Sequence, residues 1–308
     1  MRKTYEESIF RLMGENNKIL ALLADSGTGK YADIKKLYPG RYINFGIAEA
    51  NMIAAAAGLA KEGFIPVCYA IANFLVYRAY EFIRNDVCLQ NRNVKIVGLS
   101  AGVKNNNYGP THHTTEDIAI LRVLPNLTVL SPASPKEVVP LFQKAIGHEG
   151  PVYIRLGKAF ETEIYEQPPS FEIGKFNVLR EGTDISIIGT GSNLADALEA
   201  AGTLAKEGIS VEVINASTLK PLDVDTVIKT AKKTGRVITL EEHQIAGGLG
   251  GAVCETLCKA GIHVKFDMMG LEDTFCQDYG YHAVLKKKHG LSTEHIMDKC
   301  RKINRRAT

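Results

Sequence analysis

The 308 residues are 45% hydrophobic and 23% charged, with no Trp, an ordinary globular composition that excludes collagen-like, disordered and disulfide-scaffold classes. At roughly 100–200 residues per domain the length predicts two domains, each able to bury its own core. A net charge of +3 is too mild to argue for nucleic acid.

The N-terminal MRKTYEESIF has charge but no apolar core after it, so it does not read as a secretory signal. A helix is predicted over 5–16, with Ile9, Leu12 and Met13 on one side, then a buried strand over 19–24 and a Gly-containing turn, DSGTG, at 25–29. An Ala-rich helix follows at 48–61, stopped by Gly63. Its apolar stretch 52–60 is the longest in the chain, far short of the about 20 residues a membrane span needs, and the cytoplasm is the expected compartment. Strands at 64–70 and 94–99 flank a helix at 79–90. A helix at 116–121, a strand at 127–130, a helix at 136–146 that Pro140 kinks or delays, and a strand at 152–155 complete the first half.

Three prolines between 151 and 169 end the periodic pattern, which places a boundary near 166–170 and domains at 1–168 and 169–308. Beyond it, strands at 184–189, 210–215, 236–241 and 263–268 alternate with helices at 193–207, 224–234 and 248–260. Such alternation predicts two three-layer α/β domains with mainly parallel sheets covered on both faces. Lys286–Lys288 and the tail CRKINRRAT read as solvated basic surface. The six cysteines are dispersed and read as buried free thiols; Cys254 and Cys258 share a helical spacing but have no second ligand pair beside them.

Three segments stand out chemically. In FGIAEANM (45–52), Glu49 opens a helix of small and apolar residues. A carboxylate there is favoured by the helix dipole, yet its neighbours are too apolar to face solvent, so it is expected to be desolvated with a raised pKa, as in a proton relay. In GPTHHTTED (109–117), His112 and His113 follow a Gly-Pro turn on a loop; they suit acid–base or ligand work as well as plain surface, and lack the adjacent third ligand of a metal site. Phe74, Tyr77 and Tyr80, at i, i+3, i+6, are either a core stripe or a flat apolar slot for a ring. The glycine turns GTGSN (189–193) and GGLGG (247–251) read as strand-to-helix turns, since neither completes GxGxxG or a P-loop.

In order, these segments resemble the transketolase family. RYINFGIAEANMIAAAAGLAKEGFIPV is similar to its pyrimidine-binding domain, and RAYEFIRNDV, NVKIVGLSAGV, GPTHHTTEDIAILRVLPNLTVLSPAS and GPVYIRLGK follow in the family's order. VITLEEHQIAGGLGGAV is similar to part of its C-terminal domain, and DSGTG and GPTHH also resemble the related deoxyxylulose-phosphate synthases. The GDG…N motif, which in that family binds Mg²⁺ and diphosphate on a further domain, is absent from the sequence. The resemblance therefore implies the C-terminal half of a split transketolase. Its partner chain would carry the diphosphate domain and the Mg²⁺ ligands, in a heterotetramer acting on sugars with thiamine diphosphate.

The resemblance also implies roles. Glu49 matches the cofactor-activating glutamate that hydrogen-bonds the aminopyrimidine and promotes its imino tautomer, for which a buried carboxyl group is suited. Phe74 and Tyr77 match two positions of the aromatic pocket; Ile71 matches the third, and Tyr80 then leaves the site. Asp25 matches an acidic position beside the cofactor. His112 matches the substrate-contacting GPTH histidine, and Arg155 and Lys158 lie where basic residues bind a sugar phosphate. Ser100 stands where His is usual, Tyr108 where Asp recognises a donor hydroxyl, and Asn105 to Asn107 replace a glycine–acid run. These departures imply retained thiamine chemistry on a different donor or acceptor, because a phenol and amides cannot make a carboxylate's charge-assisted contact. The alternatives are the beta subunit of a 2-oxo-acid dehydrogenase, which shares the layout, and a non-catalytic regulatory subunit with the same fold.

Overall fold

Every residue of the run Ile19–Leu23 (β1) is buried. Its side chains alternate between two clusters: Leu20 and Leu22 pack on one face of the sheet, Ile19, Ala21 and Leu23 on the other. A strand apolar on both faces suits a sheet covered on both sides, as parallel sheets are. The structure, a computed structural model, describes residues 1–26, 29–105, 107–158 and 161–305; Gly27 and Thr28 of the DSGTG turn and Asn106 of the asparagine run lie outside them.

The strands that follow are β2 (Tyr42–Asn44), β3 (Ile65–Ile71), β4 (Lys95–Leu99), β5 (Thr128–Leu130), β6 (Val152–Arg155), β7 (Asn177–Arg180), β8 (Ile185–Gly189), β9 (Val211–Asn215), β10 (Thr218–Lys220), β11 (Arg236–Gln244) and β12 (Lys265–Leu271). They form a seven-stranded sheet ordered β10-β5-β6-β4-β3-β1-β2 and a five-stranded sheet ordered β12-β11-β8-β9-β7. All neighbours pair in parallel except β10 with β5 and β7 with β9. Two α/β units with mainly parallel sheets, as the alternation predicts, are thus present. No described helix is long and apolar enough to cross a membrane.

Two features of the connection between the sheets are not visible in the pattern. β10 follows β9 of the second sheet yet adds to the edge of the first, where Ser131 N–H donates to the Ser217 carbonyl at 2.8 Å. Three residues are too few to show a period, and the strand exists only because an edge is there to receive it. One face of the second sheet also shares a core with the first domain: Ile188, Ile214, Leu249 and Val253 belong to the same cluster as Leu22 and Ile53. The opposite face, Ile187 and Val213, packs on its own helices.

Most helices fall where predicted. The stretch expected as a helix over 79–90 is interrupted: three α-helical residues, Tyr80–Phe82, run into a π-helical turn, Ile83–Cys88. Pro140 is accommodated within helix Pro135–Gly147, whose first residue is itself a proline. The thiol expectation holds for Cys68, Cys88, Cys276 and Cys300; it is corrected for Cys258, which is exposed, and Cys254, which is half-buried, because both sit toward the outer side of helix Leu249–Lys259. The lysine run is not merely solvated, since Lys286 pairs with Asp196 and Lys288 with Asp278.

Candidate active site

Helix Glu49–Lys61 follows a turn in which Gly46 takes φ 67°, a left-handed conformation that glycine adopts without a Cβ clash. Its buried residues are Glu49, Met52, Ile53, Ala56 and Ala57, the i, i+3, i+4, i+7, i+8 stripe of an amphipathic helix. Glu49 is therefore the first position of a core-facing stripe and is 3% exposed. Among the described residues only Arg78 pairs with it, Nη1 donating to Oε2 at 3.2 Å.

Arg78 comes from the opposite wall. After β3 the chain turns into helix Ala72–Tyr77, which buries Ala72, Leu75 and Val76 and leaves Asn73, Phe74 and Tyr77 half-buried. Arg78, directly after it, lays its guanidinium over the Phe74 ring at 4.2 Å from the centroid, a cation–π geometry. The edge of the same ring meets His112 at 4.9 Å, and His112 stacks on Tyr108 at 4.8 Å. Lys158 Nζ stands 5.9 Å from the Tyr108 ring centroid. Residues from four separate segments thus form one continuous row: Glu49, Arg78, Phe74, His112, Tyr108, Lys158.

The loop carrying His112 is held at several points. Ser100, at the end of β4, is buried and left-handed at φ 63°. Gly102 exchanges backbone hydrogen bonds with Thr114. Val103 N–H donates to Glu242 Oε1 at 2.7 Å, so β11 of the second sheet fixes a loop of the first. Glu242 is buried, and charge from His282 is foremost among the contacts that hold its carboxyl well below the usual range against its desolvation. Asn73 Nδ2 donates to the His113 carbonyl at 2.5 Å. Burial first, then the charge of Arg78, keep His112 below its ordinary pKa, so its ring is neutral at pH 7; Nδ1 pairs with Thr111 Oγ1 at 3.0 Å.

Ile71 ends β3, just before Phe74. Tyr77 sends its hydroxyl to Glu116, whose backbone N–H donates back to that oxygen at 3.1 Å; burial and then the Asp117 charge push the phenol's pKa up, keeping it a hydroxyl. A cavity of about 650 Å³ opens beyond Glu116, lined also by Ala119, Ile245 and Phe275, and it includes neither Glu49 nor Phe74. Tyr80 is tied to the Ile120 carbonyl. Asp25 is exposed, its N–H bonded to Asn44 Oδ1 at 3.1 Å, and the same oxygen accepts from Gly46 N–H at 3.0 Å.

Arg155 is held within the protein. It is 6% exposed; Nε donates to Asp117 Oδ2 at 2.9 Å and Oδ1 at 3.2 Å, and Nη2 to the carbonyls of Thr114 and Glu242. Tyr153 completes the cluster by donating to Asp117 Oδ2. With Nε and Nη2 committed in this way, the guanidinium clamps the GPTHH segment to β6 and β11. Sequence reading also passed over Arg78, Asn44 and Asn73. Arg78 lies in the quoted RAYEFIR segment, but nothing in its spacing shows that it reaches Glu49.

The chain is similar to known proteins over nearly its whole length. The transketolase pyrimidine-binding domain model matches residues 1–160, and the transketolase C-terminal domain model matches 174–296. A putative transketolase C-terminal section from Methanocaldococcus jannaschii is 39% identical over 299 residues, covering 96% of this chain and 93% of the relative. A 6-deoxy-6-sulfo-D-fructose transketolase subunit from Clostridium sp. is 36% identical, covering 99% of this chain and 95% of the relative. A solved split-gene transketolase, described as an inactive beta4 tetramer, superposes with a TM-score of 0.88 at 37% identity over 98% of this chain and 97% of its own. Transketolase from Campylobacter jejuni shares the fold, with a TM-score of 0.79 at 20% identity, this chain spanning 46% of it.

Proposed function

The chain belongs to the transketolase family, and we propose that it is the pyrimidine-binding and C-terminal subunit of a split, thiamine diphosphate-dependent enzyme. That enzyme would pass a two-carbon ketol unit from a ketose to an aldehyde. A separate subunit would carry the diphosphate and Mg²⁺ ligands, with the two chains paired in a heterotetramer. The observation that carries this reading is the row from Glu49 to Lys158, which reaches the surface. Arg78 is 52% exposed on its side chain, Tyr108 60% and Ile47, beside Glu49, 79%. A site this open needs a second wall.

The residues present fit the pyrimidine end of the cofactor. Glu49 offers a buried carboxylate with Oε2 taken by Arg78, leaving Oε1 for a ring nitrogen; low dielectric there favours sharing a proton with a weakly basic partner. Phe74 and Ile71 supply flat apolar surface, and Tyr77 is a further wall tied down by Glu116. A ring entering against Phe74 displaces the Arg78 guanidinium from its face. Bound thiamine diphosphate supplies the electron sink for breaking a bond beside a carbonyl. His112, neutral and oriented by Thr111, can hydrogen-bond a substrate hydroxyl.

The relatives named for 6-deoxy-6-sulfo-D-fructose and for apulose-4-phosphate act on anionic sugars. An anionic ketose suits this chain as well, with Lys158 as its cation and Ser100, Tyr108 and Asn105 as neutral hydroxyl and amide partners. Lys158 makes a point-charge contact rather than a bidentate one, which tolerates sulfonate and phosphate alike.

Reconstitution tests the reading. The chain alone should turn over no ketose, and adding the diphosphate-binding chain with thiamine diphosphate and Mg²⁺ should restore transfer to an aldehyde. Full activity from the chain alone, or decarboxylation of a 2-oxo acid in place of ketol transfer, would overturn it.

A further inference from the structure

A second cluster lies just behind the GPTHH loop, in the segment after β12. Cys276, Asp278 and His289 bring a thiol sulfur, a carboxylate oxygen and an imidazole nitrogen within 4.8 Å of one another. His289 follows helix His282–Lys288, and the other two lie in the loop that precedes it. Cys276 is 3% exposed. His289 Nε2 is buried with no hydrogen-bond partner among the described residues, an arrangement that costs free energy in a finished site. Asp278 gives Oδ1 to Lys288 at 2.6 Å and keeps a second oxygen.

His113 borders this cluster from the first domain. His113 is 4% exposed. It lies within electrostatic reach of His289 and Glu242 and beside the Cys276 backbone. The two segments touch: a Cβ on Gly109 would come within 2.6 Å of the Tyr279 ring.

A buried thiol, carboxylate and imidazole also make up nucleophilic triads, but Cys276 is closed to a substrate, and burial, the largest influence on it, raises its pKa. A metal ion satisfies all three groups at once. It ionises the thiol and accepts the unpartnered nitrogen. Sulfur and nitrogen donors select zinc-class ions over Mg²⁺ or Ca²⁺. We propose that Cys276, Asp278 and His289 bind one divalent zinc-class ion, with solvent completing its coordination. Such an ion ties the end of helix His282–Lys288 to the loop that precedes it. It is distinct from the Mg²⁺ expected on the partner, and the proposal stands or falls independently of the transketolase reading.

The test uses the full chain, untagged and stripped with a chelator, titrated with Co²⁺ and then Zn²⁺. One Co²⁺ per chain should bind with a thiolate-to-metal charge-transfer band and strong tetrahedral d–d bands, and Zn²⁺ should displace it. Cys276→Ser should remove the charge-transfer band. His289→Ala should weaken binding by about 100-fold or more, the upper end of what even an outer-shell partner costs. A Cys254→Ala/Cys258→Ala double variant should bind as the parent does. Absence of a thiolate band in the parent, its persistence in folded Cys276→Ser, or its loss in the double variant would overturn the assignment. Should Cys276→Ser fail to fold, His289→Ala decides, and unchanged affinity in that variant refutes the site.

Discussion

Arg78 Nη1 meets Glu49 Oε2 at 3.2 Å, joining a side chain 52% exposed to one 3% exposed. The pair connects the start of the Ala-rich helix to the end of the short helix after β3. It places the one buried carboxylate of the row at the edge of an open surface.

Glu49→Ala should abolish ketol transfer in the reconstituted enzyme while leaving assembly with the partner intact. Glu49→Gln should be nearly as inactive, since an amide keeps the shape but cannot exchange a proton. Activity within tenfold of the parent in either variant removes Glu49 from the chemistry.

Arg78→Ala leaves the Glu49 carboxylate without its partner among the described residues. Because the guanidinium is half in solvent, the expected cost is about 1 kcal/mol, roughly fivefold in kcat/KM. Arg78→Lys should recover part of it. Steady-state kinetics at two salt concentrations checks this, the deficit of Arg78→Ala relative to the parent shrinking as screening increases.

Arg155→Ala should act on stability before it acts on substrate. Removing one member of a buried ion pair costs about 3–5 kcal/mol, here stranding Asp117 and two carbonyls. Denaturant unfolding should show that loss. Lys158→Met, by contrast, should leave unfolding unchanged and raise KM for an anionic ketose. An Arg155 variant of parental stability with a raised KM would instead place Arg155 at the substrate.

Lys95 predicts a pH dependence. It is wholly buried, donating to the carbonyls of His148 at 2.6 Å and Gly150 at 2.9 Å, and burial lowers its pKa from 10.5 to about 7. Between those values the unfolded chain holds a proton that the folded chain has released, so stability from this group rises with pH from about 7 to about 10. Below 7 both states are protonated and the desolvation cost is present in full. In Lys95→Met that rise should be lost, so the stability of the parent relative to the variant should rise with pH between about 7 and about 10. Parallel curves for parent and variant across this window would refute the assignment.

Much of the architecture was legible because strand and helix periods are local. β1 with both faces apolar, the stripe beginning at Glu49, and the helix at Val224–Thr234 follow from residues a few positions apart. Glu49 itself stood out for the same reason, as a lone carboxylate on an apolar stripe. The three-residue β10 was not legible, since it exists only against the β5 edge. The π-turn at Ile83–Cys88 left no trace in a pattern read at 3.6 residues per turn.

The sequence by itself determined the two α/β units, the family and the identity of the candidate acid, Glu49, because each rests on residue type and short-range order. Only the tertiary structure decided what the cations do. Arg155, read as a substrate ligand, is enclosed by Asp117, Thr114 and Glu242. Arg78, passed over, reaches Glu49; and Cys276, Asp278 and His289 converge. Charge is read from one residue, but whether it faces a carboxylate, a carbonyl or open solvent depends on which distant segments the fold brings to it.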